Sequence, residues 1–111
     1  ETDQAVPSII ESATTAIFAL NDELAFGLYR GLEEKGKSIP DDYSIIGYDN
    51  IDMCEYVKPK LTTIAQPIVE LGKASAKLLL SRIQSPTKEW EEELLPVKLE
   101  KRASTAPLKK T

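Results

Sequence analysis

Apolar and polar residues alternate along the chain in blocks that predict strands and helices in turn. Residues 16–20 are apolar without a polar break, which is typical of a strand covered on both faces. Leu24, Leu28 and Leu32 then recur at every fourth position, on one face of a predicted helix. A second unbroken strand is predicted over residues 44–48. This strand–helix–strand unit predicts two parallel strands joined by a right-handed crossover, and therefore an α/β fold.

Helix-capping and turn-forming residues predict the bounds of the elements. Asn21 and Asp22 are good N-caps for the helix, and Gly36 is a natural residue for its C-terminal end. Residues 7–13 are predicted as a short helix end, with Pro7 suited to a first helical turn, and Pro67 opens a long amphipathic helix. Residues 61–64 are predicted as a strand or a connector. Residues 94–99 are predicted as a final strand, at an edge of the sheet or with a bulge because of its proline.

The composition of the chain excludes several classes of function but says little about the fold. Hydrophobic residues make up 41% of the 111 residues and charged residues 29%, an ordinary balance for at most one globular domain. The net charge of -4 provides no electrostatic footprint for nucleic acid. The chain has no histidine, which excludes Ser-His-Asp triads, Cys-His pairs and zinc sites built on imidazole. A single cysteine fits a reducing compartment, and no apolar run is long enough to span a membrane.

The two predicted parallel strands locate a candidate binding site. In open α/β sheets, ligands bind beyond the carboxyl ends of the strands. Asn21 follows the first strand and Asp49 follows the second, so both are expected at the same edge of the sheet. An amide and a carboxylate there would bind the hydroxyls of a neutral polyol. The alternatives are that Asn21 only caps the helix and that Asp49 with Asn50 forms an ordinary turn.

Other polar and aromatic residues are weaker candidates. Asp49 with Asp52 has the form of a paired-carboxylate catalyst or a hard-metal site, but no further carboxylate cluster or general acid accompanies the pair. We therefore predict no catalytic residue, no metal and no cofactor. Trp90 is interpreted as an anchor between surface and core, with a sugar-stacking platform as the alternative. Cys54 is interpreted as a small buried hydrophobe rather than a redox sensor.

Three segments in their order and spacing resemble the LacI/GalR (lac repressor) family of transcriptional regulators. Residues 15–25 contain the Asn-Asp pair, residues 39–50 contain Gly-Tyr-Asp, and residues 59–67 contain Leu-Thr-Thr-Ile. The resemblance extends over roughly residues 14–106. It implies one lobe of a periplasmic-binding-protein-like domain with two lobes, in which a parallel sheet is flanked by helices and the effector binds between the lobes.

The resemblance also assigns roles to individual positions. Residues 1–106 would form the C-terminal lobe of the effector-binding domain, residues 107–111 a flexible tail, and the N-terminal lobe and DNA-binding headpiece would lie outside this chain. Asn21 and Asp49 match the family's effector-contacting residues, the same two found from the strand ends. A dimer interface, with packing inside the domain as the alternative, is expected at Phe26, Tyr29, Met53, Cys54 and Tyr56.

The expected function is that of a cytoplasmic, ligand-responsive transcriptional regulator without enzymatic activity. A small polar effector such as a sugar or sugar derivative would change its affinity for operator DNA, which is bound through the headpiece of a homodimer, and no membrane is involved. Leu20 is bulkier than the small residue often found before the asparagine, which would narrow the pocket. The alternatives are a secreted or periplasmic sugar-binding receptor of the same fold and a carboxylate-dependent α/β hydrolase.

Overall fold

The computed structural model describes residues 2–109, and these residues form a four-stranded sheet with three α-helices. In chain order the elements are α1 (Thr2–Glu11), β1 (Ala16–Phe18), α2 (Asp22–Glu34), β2 (Ser44–Asp49), a 3₁₀ helix (Asp52–Glu55), β3 (Thr62–Ala65), α3 (Ile68–Gln84) and β4 (Lys98–Glu100).

The strands lie in the order β1-β2-β3-β4. β1 pairs with β2 in parallel, with Phe18 opposite Ile46, and β2 pairs with β3 in parallel, with Ile46 opposite Thr62. β4 pairs with β3 in the antiparallel direction. The predicted α/β class is confirmed, and the parallel part of the sheet comprises three strands with a reversed strand at one edge.

The core lies where α2 packs against the sheet. Leu28 and Leu32 of the predicted stripe are buried, together with Ala25, while Leu24 is only partly buried. Ile45 of β2 is fully buried in the same cluster. The repeat of apolar residues along α2 therefore predicted correctly which face of this helix turns inward.

Strand β1 is shorter and more exposed than its apolar run predicts. It ends at Phe18 instead of residue 20, and Phe18 and Leu20 are 65% and 84% exposed. β1 is the first strand in the sheet order, so it has a neighbour on one side only. An unbroken apolar run does not show whether other elements pack on both faces of a strand, and the prediction of a strand covered on both faces is wrong.

The first helix and the last strand also differ from their predicted bounds. Helix α1 begins at Thr2, so Pro7 lies inside the helix and not in its first turn. The side chain of Pro7 is exposed. β4 spans only Lys98–Glu100, so Pro96 precedes the strand. Proline lacks the N–H needed for the hydrogen-bond ladder of a sheet, which explains why the strand begins after it.

The contacts of the chain divide it into two compact units. One comprises the residues up to Ala65 together with those from Lys98 onward, and the other comprises Gln66–Val97. The contacts thus group α3 and the loop that follows it separately, and the assignment of residues 1–106 to one lobe stays a prediction. The physical reason for the separate grouping is that α3 buries none of its 17 residues, all of which are described.

The loop after α3 folds back on the helix through polar contacts. The guanidinium of Arg82 lies 5.3 Å from the centre of the Trp90 ring, a cation–π contact. Lys88 Nζ donates a hydrogen bond to Ser81 Oγ at 2.8 Å and forms an ion pair with Glu91 at 2.6 Å. Trp90 is 91% exposed, so the interpretation of this residue as an anchor into the core is wrong.

The segment that follows β4 is fastened to the starts of β2 and β3. The buried hydroxyl of Ser104 donates to the backbone carbonyl of Ile45 and accepts from the backbone N–H of Thr62 at 2.8 Å. The carbonyl of Ser104 in turn accepts the N–H of Ile45 at 2.8 Å. Of the predicted tail over residues 107–111, residues 110 and 111 lie outside the described range, and residues 107–109 have no regular secondary structure.

Candidate functional site

Asn21 and Asp49 lie at the same edge of the sheet, as the parallel strands require. Phe18 pairs with Ile46, Asn21 follows Phe18 by three residues, and Asp49 follows Ile46 by three residues. Both side chains are partly buried. The parallel pairing on which the site prediction depends is confirmed, and the role of the two residues as ligands stays a prediction.

Asn21 is the N-cap of α2. Its backbone is extended, with φ −154° and ψ 171°, and its Oδ1 accepts a hydrogen bond from the N–H of Leu24 at 2.8 Å. This bond satisfies one of the N–H groups that the first turn of a helix leaves without a partner. The capping alternative therefore holds for Oδ1, and the amide nitrogen is the group that would donate to a ligand.

Asp49 and Asn50 leave β2 with unusual backbone angles. Their φ values are 126° and 62°, in the region that favours glycine. Such conformations cost on the order of 1–3 kcal/mol each and persist only where the surroundings hold them, although Asp and Asn tolerate them better than other residues. The turn that carries the candidate carboxylate is thus held in place by the groups around it.

A buried carboxylate, Asp22, lies directly behind this turn. It is 0% exposed, and its Oδ2 accepts hydrogen bonds from the backbone N–H of Ile51 at 2.9 Å and from the thiol of Cys54 at 3.1 Å. Its Oδ1 accepts from the hydroxyl of Thr63 at 2.6 Å. A buried carboxylate is tolerated only when donors surround it, and three donors do so here. Sequence reasoning treated Asp22 only as a helix cap and missed this network.

Gly47 provides the space that the carboxylate of Asp22 occupies. A Cβ at residue 47 would lie 2.3 Å from Asp22 Oδ1 and 2.9 Å from the Leu61 side chain. The glycine of the Gly-Tyr-Asp segment is therefore required by the close approach of Asp22. A glycine inside a predicted strand was the available sequence signal, because it often marks such an approach of another group.

Arg102 holds the same turn from the other side. Its three guanidinium nitrogens donate to Asn50 Oδ1 at 2.7 Å, to the carbonyl of Leu61 at 2.8 Å and to Glu55 Oε1 at 2.8 Å. The side chain of Arg102 is 13% exposed. The hydrogen bond from Arg102, followed by that from Lys60, lowers the pKa of Glu55 from its ordinary value. Arg102 thus connects the segment after β4 with the turn that carries Asp49.

Cys54, a predicted interface residue, is fully buried inside the chain. Burial and its hydrogen bond to Asp22 raise the pKa of the Cys54 thiol to about 12, so the thiol stays protonated and acts as a donor. Its side chain presents no surface to a partner. For this residue the alternative of packing inside the domain holds, and its interpretation as an inert side chain stays a prediction.

The other four interface candidates fall into two pairs. Phe26 and Tyr29 are partly buried on α2, with ring centres 6.3 Å apart and perpendicular planes, and the hydroxyl of Tyr29 donates to the carbonyl of Pro59 at 2.8 Å. Burial raises the pKa of Tyr29 to about 12. Met53 and Tyr56, on and beside the 3₁₀ helix, are 51% and 76% exposed. Their place in a dimer interface stays a prediction.

The described part of the chain contains neither a cluster of metal ligands nor a helix that could span a membrane. Asp52 is exposed, and no cluster of three or more Cys, Asp or Glu side chains with the geometry to hold a metal ion occurs among residues 4–109, whose side chains the structure describes. Among the same residues, no helix has both the length and the apolar character required to cross a membrane.

Curated relatives of this chain are transcriptional repressors. The HTH-type transcriptional repressor PurR of Vibrio atlanticus is 49% identical over 75 residues, which are 68% of this chain and 22% of that protein. The ribose operon repressor of Haemophilus influenzae is 43% identical over 79 residues, which are 71% of this chain and 24% of that protein. The chain thus spans less than a quarter of the length of either.

Two solved structures match nearly all of the chain. A LacI family transcriptional regulator from Enterococcus faecium with bound ribose is 76% identical, with a TM-score of 0.87 over 97% of this chain and 40% of that one. A LacI family regulator from Enterococcus faecalis, also with bound ribose, is 67% identical, with a TM-score of 0.90 over the same shares. Both the sequence and the arrangement of the strands are therefore shared with these regulators.

The model of the periplasmic binding protein-like domain matches residues 1–105. Because this match covers nearly the whole chain, the chain belongs to the family of periplasmic-binding-protein-like domains, in the effector-binding form found in LacI/GalR regulators.

Proposed function

We propose that the protein carrying this chain is a ribose-responsive transcriptional regulator, and that Asn21 and Asp49 bind hydroxyls of the sugar. The observation that carries the proposal is the parallel pairing of β1 and β2, which brings the ends of both strands to one edge of the sheet. The two regulators with bound ribose, 76% and 67% identical to this chain, support ribose as the effector.

The chemistry of the two side chains fits a neutral sugar. An ionised Asp49 accepts hydrogen bonds from two hydroxyls, and the Asn21 amide donates one. Hydrogen bonds to a charged group contribute about 1.5–3 kcal/mol each. This is a binding role, and the proposal assigns the chain no catalytic step.

In the proposed mechanism, ribose changes the affinity of the protein for operator DNA. The relatives named as repressors support operator DNA as a partner of the protein. In a homodimer, ribose binding could change the arrangement of the two subunits and thereby the affinity for DNA. The two conformations must differ in their affinity for ribose, because a ligand that binds both equally shifts nothing. Met53 and Tyr56 are the exposed side chains that we assign to the interface.

Calorimetric titration with ribose tests the effector site in the protein that carries this chain. Asp49→Asn keeps a residue that tolerates the positive φ but removes the charge. We expect it to weaken ribose binding at least about tenfold, since about 1.4 kcal/mol corresponds to a factor of ten. Asp49→Ala, which removes every hydrogen bond of the side chain, should abolish the response to the effector while the protein still dimerises.

Asp41→Ala is the matched control. Asp41 is exposed and precedes β2, so it lies toward the opposite end of this strand from Asp49, and its removal should leave ribose affinity unchanged. Unchanged ribose affinity in both Asp49 variants would remove Asp49 from the site. A wild-type protein that shows no ribose binding, or whose DNA affinity is the same with and without ribose, would contradict the proposed function.

A further inference from the structure

The buried carboxylate of Asp22 connects the two segments that carry the candidate ligands. Asp22 directly follows Asn21, and its Oδ2 accepts the backbone N–H of Ile51, two residues after Asp49, at 2.9 Å. Cys54 donates its thiol to the same oxygen. The start of α2 and the turn after β2 are therefore joined at one side chain, although 29 residues separate Asp22 from Ile51.

Thr63 extends this connection to the neighbouring residue of the turn. Its hydroxyl donates to Asp22 Oδ1 at 2.6 Å and accepts the backbone N–H of Asn50 at 3.3 Å. Two successive backbone N–H groups are thus held by Asp22. That of Ile51 is hydrogen-bonded to Asp22 directly, and that of Asn50 is bonded to it through the hydroxyl of Thr63. Asp22 and Thr63 are both 0% exposed, so water does not compete for these bonds.

The backbone that these bonds hold is the strained one. Asp49 and Asn50 have φ values of 126° and 62°, which such residues keep only when their neighbours are fixed. Both tied N–H groups come immediately after Asp49. We expect that loss of these hydrogen bonds would let this backbone relax toward negative φ and would move the carboxylate of Asp49.

We propose that Asp22 is a positioning residue of the effector site, which holds the turn after β2 so that Asp49 meets the sugar. Asp22 is fully buried and acts through the backbone of Asn50 and Ile51 without touching the ligand. The inference rests on the proposed function for the identity of the ligand, ribose, and for the role of Asp49 in binding it.

Asp22→Asn in the complete protein is the direct test. It keeps the shape of the side chain but replaces one accepting oxygen with an NH₂ group, which cannot accept from the donors around it. We expect the Kd for ribose to rise at least about tenfold. Ile45→Val is the structural control, because it trims a fully buried core residue, and we expect it to lower the stability while leaving the Kd unchanged.

Two variants of Thr63 test the same connection if Asp22→Asn does not fold. Thr63→Val removes the hydroxyl, and Thr63→Ser keeps it. We expect weakened ribose binding in the valine variant and wild-type affinity in the serine variant, a difference that loss of core packing alone does not produce. Wild-type ribose affinity in a folded Asp22→Asn or Thr63→Val protein would overturn the proposal.

Hydrogen exchange of the ligand-free protein separates this proposal from the proposed function. Asp22→Asn should accelerate exchange of the Asn50 and Ile51 amides, with no matching change in the Ile45→Val protein. If the wild type does not bind ribose, the proposed effector is wrong, and faster exchange confined to the turn still supports the positioning role. Unchanged exchange at both amides shows that Asp22 does not hold the turn.

Discussion

Replacing Gly47 with alanine tests the close packing between β2 and Asp22. The new Cβ would lie 2.3 Å from Asp22 Oδ1 and 2.9 Å from the Leu61 side chain, both closer than real Cβ contacts. Overpacking a core costs about 1–3 kcal/mol, and each hydrogen bond to a charged group contributes about 1.5–3 kcal/mol. With one such bond lost as the carboxylate moves, we expect the free energy of unfolding to fall by about 2.5–6 kcal/mol.

Urea denaturation measures this loss, and Gly72→Ala is its matched control. Gly72 lies inside α3, and a Cβ there would meet no heavy atom within 4 Å apart from its chain neighbours and the backbone of its own helix. Alanine is favoured over glycine inside helices by roughly 0.5–1 kcal/mol, so this variant should be slightly more stable than the wild type. The same Gly→Ala substitution is therefore expected to lower the free energy of unfolding at residue 47 and to raise it at residue 72. A Gly47→Ala protein as stable as the wild type would refute the packing argument.

Three further predictions concern the turn and its surroundings. Iodoacetamide should label Cys54 slowly in the folded protein at mildly alkaline pH and quickly in urea, because the thiol is buried and its pKa is about 12; fast labelling of the folded state would contradict this. Arg102 lowers the pKa of Glu55, so their pairing stabilises the fold above the ordinary pKa of 4.5 and is lost as the pH falls through the lowered value. Glu55→Gln should therefore flatten the loss of stability on acidification, and an unchanged pH profile would exclude the contribution. Tyr56→Ser and Met53→Ser should each weaken dimerisation, measured by sedimentation velocity, without loss of folding. A wild-type protein that is monomeric would contradict the proposed interface.

Helix α2 was predictable from the sequence because its determinants are local. Asn21 caps its start, and buried leucines mark its inner face. At its end Gly36 has φ 73°, its N–H donates to the carbonyl of Glu33, and the N–H of Lys37 donates to that of Leu32. This is the hydrogen-bond pattern of a Schellman motif. Capping residues and apolar periodicity lie within a few residues of the atoms that they determine, so one sequence is enough to recognise them.

The network around Asp22 depends on residues far away in the chain. Its donors on Ile51 and Thr63 are 29 and 41 residues away, and the space that it needs comes from Gly47. The residues that neighbour Asp22 in the sequence do not indicate whether its carboxylate is buried among several donors or is an exposed helix cap. The strand-end rule placed Asn21 and Asp49 at one edge of the sheet because it needs only the order and direction of the strands. The contacts of Asp22 could be recognised only in the folded structure.

The helices α2 and α3 show a second limit of sequence reasoning. Both have amphipathic sequences, yet α2 buries Leu28 and Leu32 while α3 buries no residue. An apolar stripe predicts that a helix has a face to cover, but it does not identify the element that covers it. The assignment of residues 1–106 to a single lobe stays a prediction.

The fastening of Ser104 to Ile45 and Thr62 has a practical consequence for recombinant versions of the protein. A stop codon or a fusion joint placed before Ser104 would leave a buried carbonyl and a buried amide of the central strands without partners, at a cost of about 1–3 kcal/mol each. Shortened forms made for crystallisation or screening should therefore retain the chain through Ala106, whose N–H also bonds to Ser44 Oγ at 3.0 Å.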